Sequence, residues 1–170
     1  MIREKTLTGK KNVSSRTGYH TGKRPQKAWE DPHQFDGRPL EYILLFNKIR
    51  DSKTFAEALR IVLEEYAGIT QAELSRKTGI SVKTIEGYLA GRNKPDEYRN
   101  LYAISIAINL KPTLLKELIG FAGLDTIYMR GTAGIYQAIF EVSSGLSLEE
   151  VNNLCRVSNV PMLFDLSVDI

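Results

Sequence analysis

The chain has 170 residues, of which 42% are hydrophobic and 25% charged, a composition typical of a globular protein with one sizeable core. A single cysteine leaves no internal disulfide and no cysteine-based zinc cluster, and the two histidines lie in polar stretches without packed neighbours. We therefore expect no catalytic residue, no metal site and no cofactor. The absence of a long apolar run and of a secretory signal favours a cytoplasmic protein without a membrane span.

The first part of the chain differs in charge from the rest. Residues 1–27 hold eight Lys or Arg and a single acid, Glu4, which gives this segment a net charge of +7. From Met1 to about Arg38 there is no apolar periodicity, and Gly, Ser, Thr, Lys and Pro dominate. The sequence thus predicts a disordered basic arm over residues 1–38, which favours a polyanionic partner.

A first helix is predicted to begin at Pro39, a residue suited to a helix start, and to end near Arg50. Its expected apolar face consists of Leu40, Ile43, Leu44 and Ile49. The next helix begins with a capping box of Thr54 and Glu57 and ends at Gly68. One apolar stripe at helical spacing runs along this second helix, formed by Phe55, Ala58, Leu59, Val62, Leu63 and Tyr66.

Two short helices follow with almost nothing between them. Thr70 and Glu73 form a second capping box, and the helix they open runs to about Thr78. Gly79 stands where a left-handed backbone is needed, and Ser81 caps another helix that runs to about Ala90. Five residues at inward positions are expected to hold the two helices together: Leu74, Ile80, Ile85, Tyr88 and Leu89.

Further helices are predicted over residues 96–108, where nearly every residue is apolar, and from Pro112 to about Gly123. Residues 54–123 thus form a five-helix unit of an all-α protein, and we assign residues 39–123 to one domain. Residues 124–170 are expected to form a small helical extension, with one helix from Asp125 to Val142 and another capped by Ser147. This extension carries a net charge of −4.

Residues 55–119 resemble the Xre/Cro-type helix-turn-helix family of phage repressors and many bacterial regulators. The motif lies in ITQAELSRKTGISVKTIEGYLAGRNKP, residues 69–95, where Leu74, Gly79 and Ile85 have the family spacing and a Gly-basic-x-Lys-Pro exit follows. The resemblance implies a repressor-like bundle without enzymatic activity that binds double-stranded DNA and regulates transcription. In this motif the second helix lies in the major groove, and its first residues contact base edges.

The predicted base contacts are Val82, Lys83, Thr84 and Gly87, which stand outside the inward set on helix 82–90. Lys83 can donate to guanine, and Val82 and Thr84 can touch a thymine methyl group. Gly87 departs from the family, which often carries a polar reading side chain there, so we expect it to admit close approach. The predicted phosphate contacts are Gln71 and Ser81 at helix starts, and Arg92, Asn93 and Lys94 in the exit.

A homodimer is expected, because domains of this kind read two half-sites. The expected dimer surface lies within residues 112–170 and consists of Tyr136, Ile139, Phe140, Val151 and Leu154. An alternative function is a protein-interaction module, such as an antitoxin, in which residues 124–170 bind a partner protein. The acidic charge of that region suits a basic partner.

Overall fold

The computed structural model describes residues 39–124 and 131–166, and within these ranges the chain is helical and contains no strand. The all-α class is therefore confirmed. The predicted arm over residues 1–38 and the predicted helical residues 125–130 lie outside the described ranges. No helix within those ranges has the length and apolar character that a membrane span needs. The helices are α1 (Pro39–Arg50), α2 (Phe55–Ile61), α3 (Gln71–Thr78), α4 (Val82–Leu89), α5 (Tyr98–Ala107), α6 (Pro112–Ala122), α7 (Thr132–Val142) and α8 (Leu148–Val157).

The predicted stripe of the second helix is buried along its whole length. Thr54 caps α2 by accepting a hydrogen bond from the Glu57 amide at 3.2 Å. The Glu57 carboxylate accepts from the Lys53 amide instead of returning to Thr54, so the predicted capping box is only half formed. Beyond Ile61 the helix continues as a π-helical segment, Val62–Ala67, and ends at Gly68 with a φ of 62°.

Helix α5 is the centre of the molecule. All of residues 101–108 are buried, in agreement with the nearly continuous apolar sequence, and α3, α6 and α7 pack against α5. Ser105 is buried among them, and its hydroxyl has no hydrogen-bond partner in the described part of the chain. Helix α6 buries its inward residues as predicted, including Leu114 and Leu118.

Helix α1 forms where predicted, but of the four residues assigned to its apolar face only Ile49 is in the core. Leu45 and Ile49 are buried against α2 and α6, whereas Leu40, Ile43 and Leu44 are 70%, 51% and 60% exposed. The helix is short and rich in apolar residues, so several faces fit a helical period equally well. The face that is buried is the one that contacts α2 and α6, and the sequence of α1 alone does not indicate which face that is.

The described part of the extension packs on the rest of the chain. The Tyr102 ring of α5 contacts Tyr136 and Phe140 of α7, with ring centroids 6.1 and 5.9 Å apart. Of the residues expected at a dimer surface, Tyr136, Ile139 and Val151 are at most 4% exposed, and Phe140 and Leu154 also pack on the core. That expectation was wrong, because α7 packs on α5 and α8 packs on α7, which gives these side chains apolar partners within the same chain.

The segment after α8, residues 158–166, crosses back to the helix-turn-helix. The Asn152 carboxamide holds it by donating to the Phe164 carbonyl at 2.9 Å and accepting from the Phe164 amide at 3.0 Å. The Arg99 guanidinium donates to the Met162 carbonyl at 2.7 Å. A methyl group placed on Gly79 would lie 2.5 Å from the Asp165 Cβ. The C-terminal segment therefore rests directly on the turn between α3 and α4.

Candidate nucleic-acid interface

The turn between α3 and α4 is built from the local signals in its sequence. Thr70 and Glu73 form the predicted capping box, with the Thr70 amide donating to the Glu73 carboxylate at 2.7 Å and the Glu73 amide donating to the Thr70 hydroxyl at 3.2 Å. Gly79 ends α3 in the left-handed region with a φ of 73°. The Ser81 hydroxyl then accepts from the Thr84 amide at 3.1 Å and caps α4. These contacts fix the angle at which α4 leaves α3.

The two helices are joined by the side chains that the spacing placed inward. Leu74 and Ile85 are fully buried, Tyr88 is 3% exposed, and Ile80 and Leu89 pack on the same core. The Tyr88 ring meets Phe55 edge-on at 5.9 Å, and its hydroxyl accepts from the Asn100 carboxamide at 3.0 Å. Burial raises the pKa of Tyr88, and the hydrogen bond from Asn100 opposes that rise in part. Helix α4 is thus held from within and leaves one face free.

The free face of α4 carries Val82, Lys83 and Glu86, which are all exposed, and Ala90 just beyond the helix end is exposed as well. Lys83 was predicted to face outward, with Val82 flanking it. Glu86 was not singled out, although its position four residues after Val82 places it on the same face. Thr84 is half-buried, and its hydroxyl lies 2.8 Å from the Ser81 hydroxyl, so the helix cap already engages that group.

Gly87 does not face outward as expected, because Asn93 covers it. Gly87 is buried, and a methyl group placed on it would overlap the Asn93 Oδ1. The chain reverses after α4 through Gly91, which has a φ of 66°. The Arg92 amide then donates to the Gly87 carbonyl at 3.0 Å, and the Gly91 amide donates to the Tyr88 carbonyl at 3.1 Å. This pair of bonds is the Schellman motif, and it folds the exit back onto α4.

Charged and polar side chains surround the free face, and beside α4 the two arginines Arg60 and Arg92 are accompanied by Glu64 and Glu86. A groove of about 910 Å³ runs between the end of α2, the start of α3 and α4, and its lining includes Gln71, Val82, Glu86 and Arg92. A neighbouring groove of about 670 Å³ is lined by Arg92, Asn93 and Lys94 among others. The structure therefore brings two predicted phosphate contacts, Gln71 and Arg92, to the edge of the predicted reading helix. Ser81 is exposed at the start of that helix.

Arg60 is a functional candidate that the sequence did not reveal. It stands outside the apolar stripe of α2, where a solvated arginine is ordinary, and nothing local distinguishes it. In the structure its guanidinium donates to the Leu89 carbonyl at 2.9 Å, at the end of α4, and Arg60 lines both grooves. A cation at a helix C-terminus stabilises the free carbonyl groups there. Arg60 therefore both anchors α4 and adds positive charge beside it.

Lys94 sits further from this face than its neighbours. Its ammonium lies 2.9 Å from the position that a methyl group on Gly123 would occupy, which places it at the C-terminal end of α6. The free carbonyl groups of a helix end attract a cation. Lys94 is exposed, with its ammonium beside the end of α6.

The geometry is that of a helix-turn-helix with a solvent-facing second helix. The helix-turn-helix family model matches residues 59–115, about a third of the chain, from within α2 to the first turn of α6. This segment is a helix-turn-helix domain, so the resemblance predicted from the sequence is confirmed. The match supports a DNA-binding transcription regulator. Comparisons with curated proteins and with solved structures gave no match.

Proposed function

We propose that the protein is a sequence-specific regulator of transcription, of the repressor type, that places α4 in the major groove of double-stranded DNA. The observation that carries this proposal is the exposed face of α4, with Val82 and Lys83 at its first turn and Arg60 and Arg92 at its edges. An α-helix fits the width of the major groove, and in this motif its first residues reach the bases. A cytoplasmic location and a non-enzymatic role go with this proposal.

We assign base recognition to the first turn of α4, residues 82–84, and to Glu86 one turn further along the helix. Lys83 would donate to guanine O6 or N7, and Val82 would contact a thymine methyl group. Thr84, whose hydroxyl is engaged with Ser81, would contribute through its methyl group. Glu86 joins the set because a carboxylate in the major groove accepts from the cytosine amino group.

Phosphate binding is assigned to the groups around that face. Gln71 and Ser81 stand at helix starts, where free backbone amides and the helix dipole favour an anion. Arg92 and Arg60 supply charge along the groove beside α4. Lys94 would contribute less than Arg92, because its ammonium already lies at the end of α6. These contacts orient the protein on the duplex without selecting a sequence.

We further propose that the protein binds as a homodimer, since two half-sites about 34 Å apart are the common arrangement for such domains. The surface expected for this purpose is buried, and the exposed apolar residues Leu40, Ile43 and Leu44 of α1 take its place in the proposal. Sedimentation of the full chain should show a dimer that Ile43→Asp converts to a monomer. A wild-type monomer, both free and on its DNA site, would contradict this assignment.

The alternative of a partner-binding module rests on charge alone. The apolar side chains of α7 and α8 that could have met a partner are packed on α5 and on the core. A pull-down with the full chain that recovers a stoichiometric basic protein, with no enriched DNA sequence, would favour that function.

Selection of binding sites from random duplex DNA tests the proposed function. The full chain should enrich one motif, and Lys83→Ala should lose its preference for guanine at one base pair of each half-site. Lys116→Ala, which removes an exposed lysine of α6, is the matched control and should enrich the wild-type motif. If neither the wild type nor the control enriches a motif, sequence-specific DNA binding is refuted.

A further inference from the structure

Asn93 fills the space that a side chain at position 87 would occupy. The Asn93 Cγ and Nδ2 lie 3.1 and 3.2 Å from the position of a methyl group on Gly87, and the Oδ1 lies closer still. The Oδ1 is closer than a real methyl group packs and the other two atoms are tighter than most methyl contacts, so a methyl group on Gly87 would displace the carboxamide from this place. The carboxamide of a loop residue thus lies against α4.

The backbone holds Asn93 in this place. The amides of Arg92 and Asn93 both donate to the Gly87 carbonyl, at 3.0 and 3.4 Å. Pro95 is buried just beyond and restricts the backbone of Lys94, the residue that follows Asn93. Asn93 itself is exposed, and its carboxamide is not engaged by another described residue. Its donor and its acceptor are therefore presented to whatever approaches α4.

The location coincides with the predicted reading surface. Gly87 follows Lys83 by four residues, about one helical turn, so the two positions are neighbours on the surface of α4. They lie about 6 Å apart along the helix axis. That distance corresponds to roughly two base-pair steps of duplex DNA. An asparagine carboxamide can donate and accept at once, and in the major groove this pattern matches N6 and N7 of adenine.

We propose that Asn93 is a base-reading residue, specific for adenine, and that Gly87 is required so that its carboxamide can lie on α4. This inference rests on the proposed function and replaces the phosphate contact predicted for Asn93. The side chain missing from α4 at position 87 is supplied from the loop. A readout group that is positioned by two backbone hydrogen bonds and one glycine can be displaced by a single methyl group.

The test compares site selection by the wild type, Asn93→Ala, Gly87→Ala and the double variant. Each single variant should lose the preference for adenine at the same base pair, by about 5- to 150-fold, the usual range for one bidentate contact. The double variant should lose no more than either single one, because Gly87→Ala acts only by displacing Asn93. Arg92→Ala is the control and should keep the motif while it binds every sequence more weakly.

A change of specificity gives a second test. Asn93→Asp removes the donor and keeps the acceptor, so the preference at that base pair should move from adenine to cytosine. Thermal unfolding is measured for every variant; Gly87→Ala should unfold no earlier than the wild type, since alanine favours a helix over glycine.

Two results would overturn the inference alone. One is that the wild type enriches a motif while Asn93→Ala weakens binding to all sequences equally and keeps the adenine preference, which is the behaviour of a phosphate contact. The other is that Gly87→Ala has no effect while Asn93→Ala does, which would remove the role of Gly87. If the wild type itself enriches no motif, the proposed function fails and the inference fails with it.

Discussion

Replacing Gly79 by alanine should destabilise the protein more than the same replacement at Gly91, although both glycines have left-handed backbones. Their φ angles are 73° and 66°, so the conformational cost of a side chain is about 1 kcal/mol at either position. The surroundings differ. A methyl group on Gly79 would lie 2.5 Å from the Asp165 Cβ and 2.9 Å from its backbone nitrogen and oxygen, whereas on Gly91 the nearest atom is the Ala56 Cβ at 3.8 Å.

The difference between the two variants measures the packing of the C-terminal segment on the turn. Forcing an extra methyl group into a packed site costs about 1–3 kcal/mol, so we expect a decrease in stability of about 2–4 kcal/mol for Gly79→Ala and about 1 kcal/mol for Gly91→Ala. At roughly 2–4 °C per kcal/mol for a chain of this size, the two melting temperatures should differ clearly. Urea unfolding of each variant gives the free energies directly.

Asparagine at the same positions separates backbone strain from crowding. Asn tolerates the left-handed region, so Gly91→Asn should be close to neutral, whereas Gly79→Asn should stay strongly destabilising. Equal decreases for Gly79→Ala and Gly91→Ala would mean that the C-terminal segment does not rest on the turn, and the packing of residues 158–166 on the helix-turn-helix would be refuted.

Three further predictions concern buried polar groups. Asn152→Ala should lower the free energy of unfolding by about 2–4 kcal/mol, because the amide and the carbonyl of Phe164 lose their partner; a decrease below about 1 kcal/mol in urea would contradict this. Ser105→Ala should be neutral or stabilising by up to about 1 kcal/mol, since the buried hydroxyl has no partner among the described residues, and a marked fall in melting temperature would count against it. Burial raises the pKa of Tyr66 and of Tyr102 to about 12, above the value of about 10 in the unfolded chain. Stability is therefore complete below pH 10 and should fall as the pH rises toward 12, by about 2–3 kcal/mol for each tyrosine. Tyrosinate absorbance and urea unfolding across that range measure this, with Tyr66→Phe as the control that should reduce the fall.

Local signals predicted the helix-turn-helix because each of its parts is encoded by neighbouring residues. The capping box of Thr70 and Glu73, the left-handed Gly79 and the cap at Ser81 depend on contacts within four residues of one another. The inward positions of α4 follow from its helical period. These features do not depend on what packs around the domain, so they could be predicted from the sequence alone.

Long-range packing accounts for what the sequence did not predict. The burial of Gly87 depends on how the loop after α4 folds back, and the periodicity that placed Gly87 outward describes an isolated helix. The placement of Asp165 beside Gly79 joins residues far apart in the chain, and no local pattern encodes it. On α1, the choice of Leu45 over Leu44 as a core residue is made by α2 and α6. In each case a tertiary contact decides which face of a correctly predicted element is covered.

The most direct measurement of the central claim is the affinity of three proteins for two duplexes over a range of salt concentrations. The proteins are the wild type, Lys83→Ala and Arg92→Ala; the duplexes are the selected site and a scrambled site of the same composition. If α4 reads bases while Arg92 binds phosphate, Lys83→Ala should reduce the discrimination between the duplexes by about 5- to 150-fold. Arg92→Ala should keep that discrimination, bind both duplexes more weakly, and show a salt slope shallower by about 0.9 for each phosphate that the arginine neutralises in the wild type.

The opposite pattern, or no change in either variant, would contradict the account. A fall in discrimination confined to Arg92→Ala would place the reading surface outside the exposed face of α4. Unchanged affinities and slopes for both variants would show that the DNA does not lie against the grooves beside that helix.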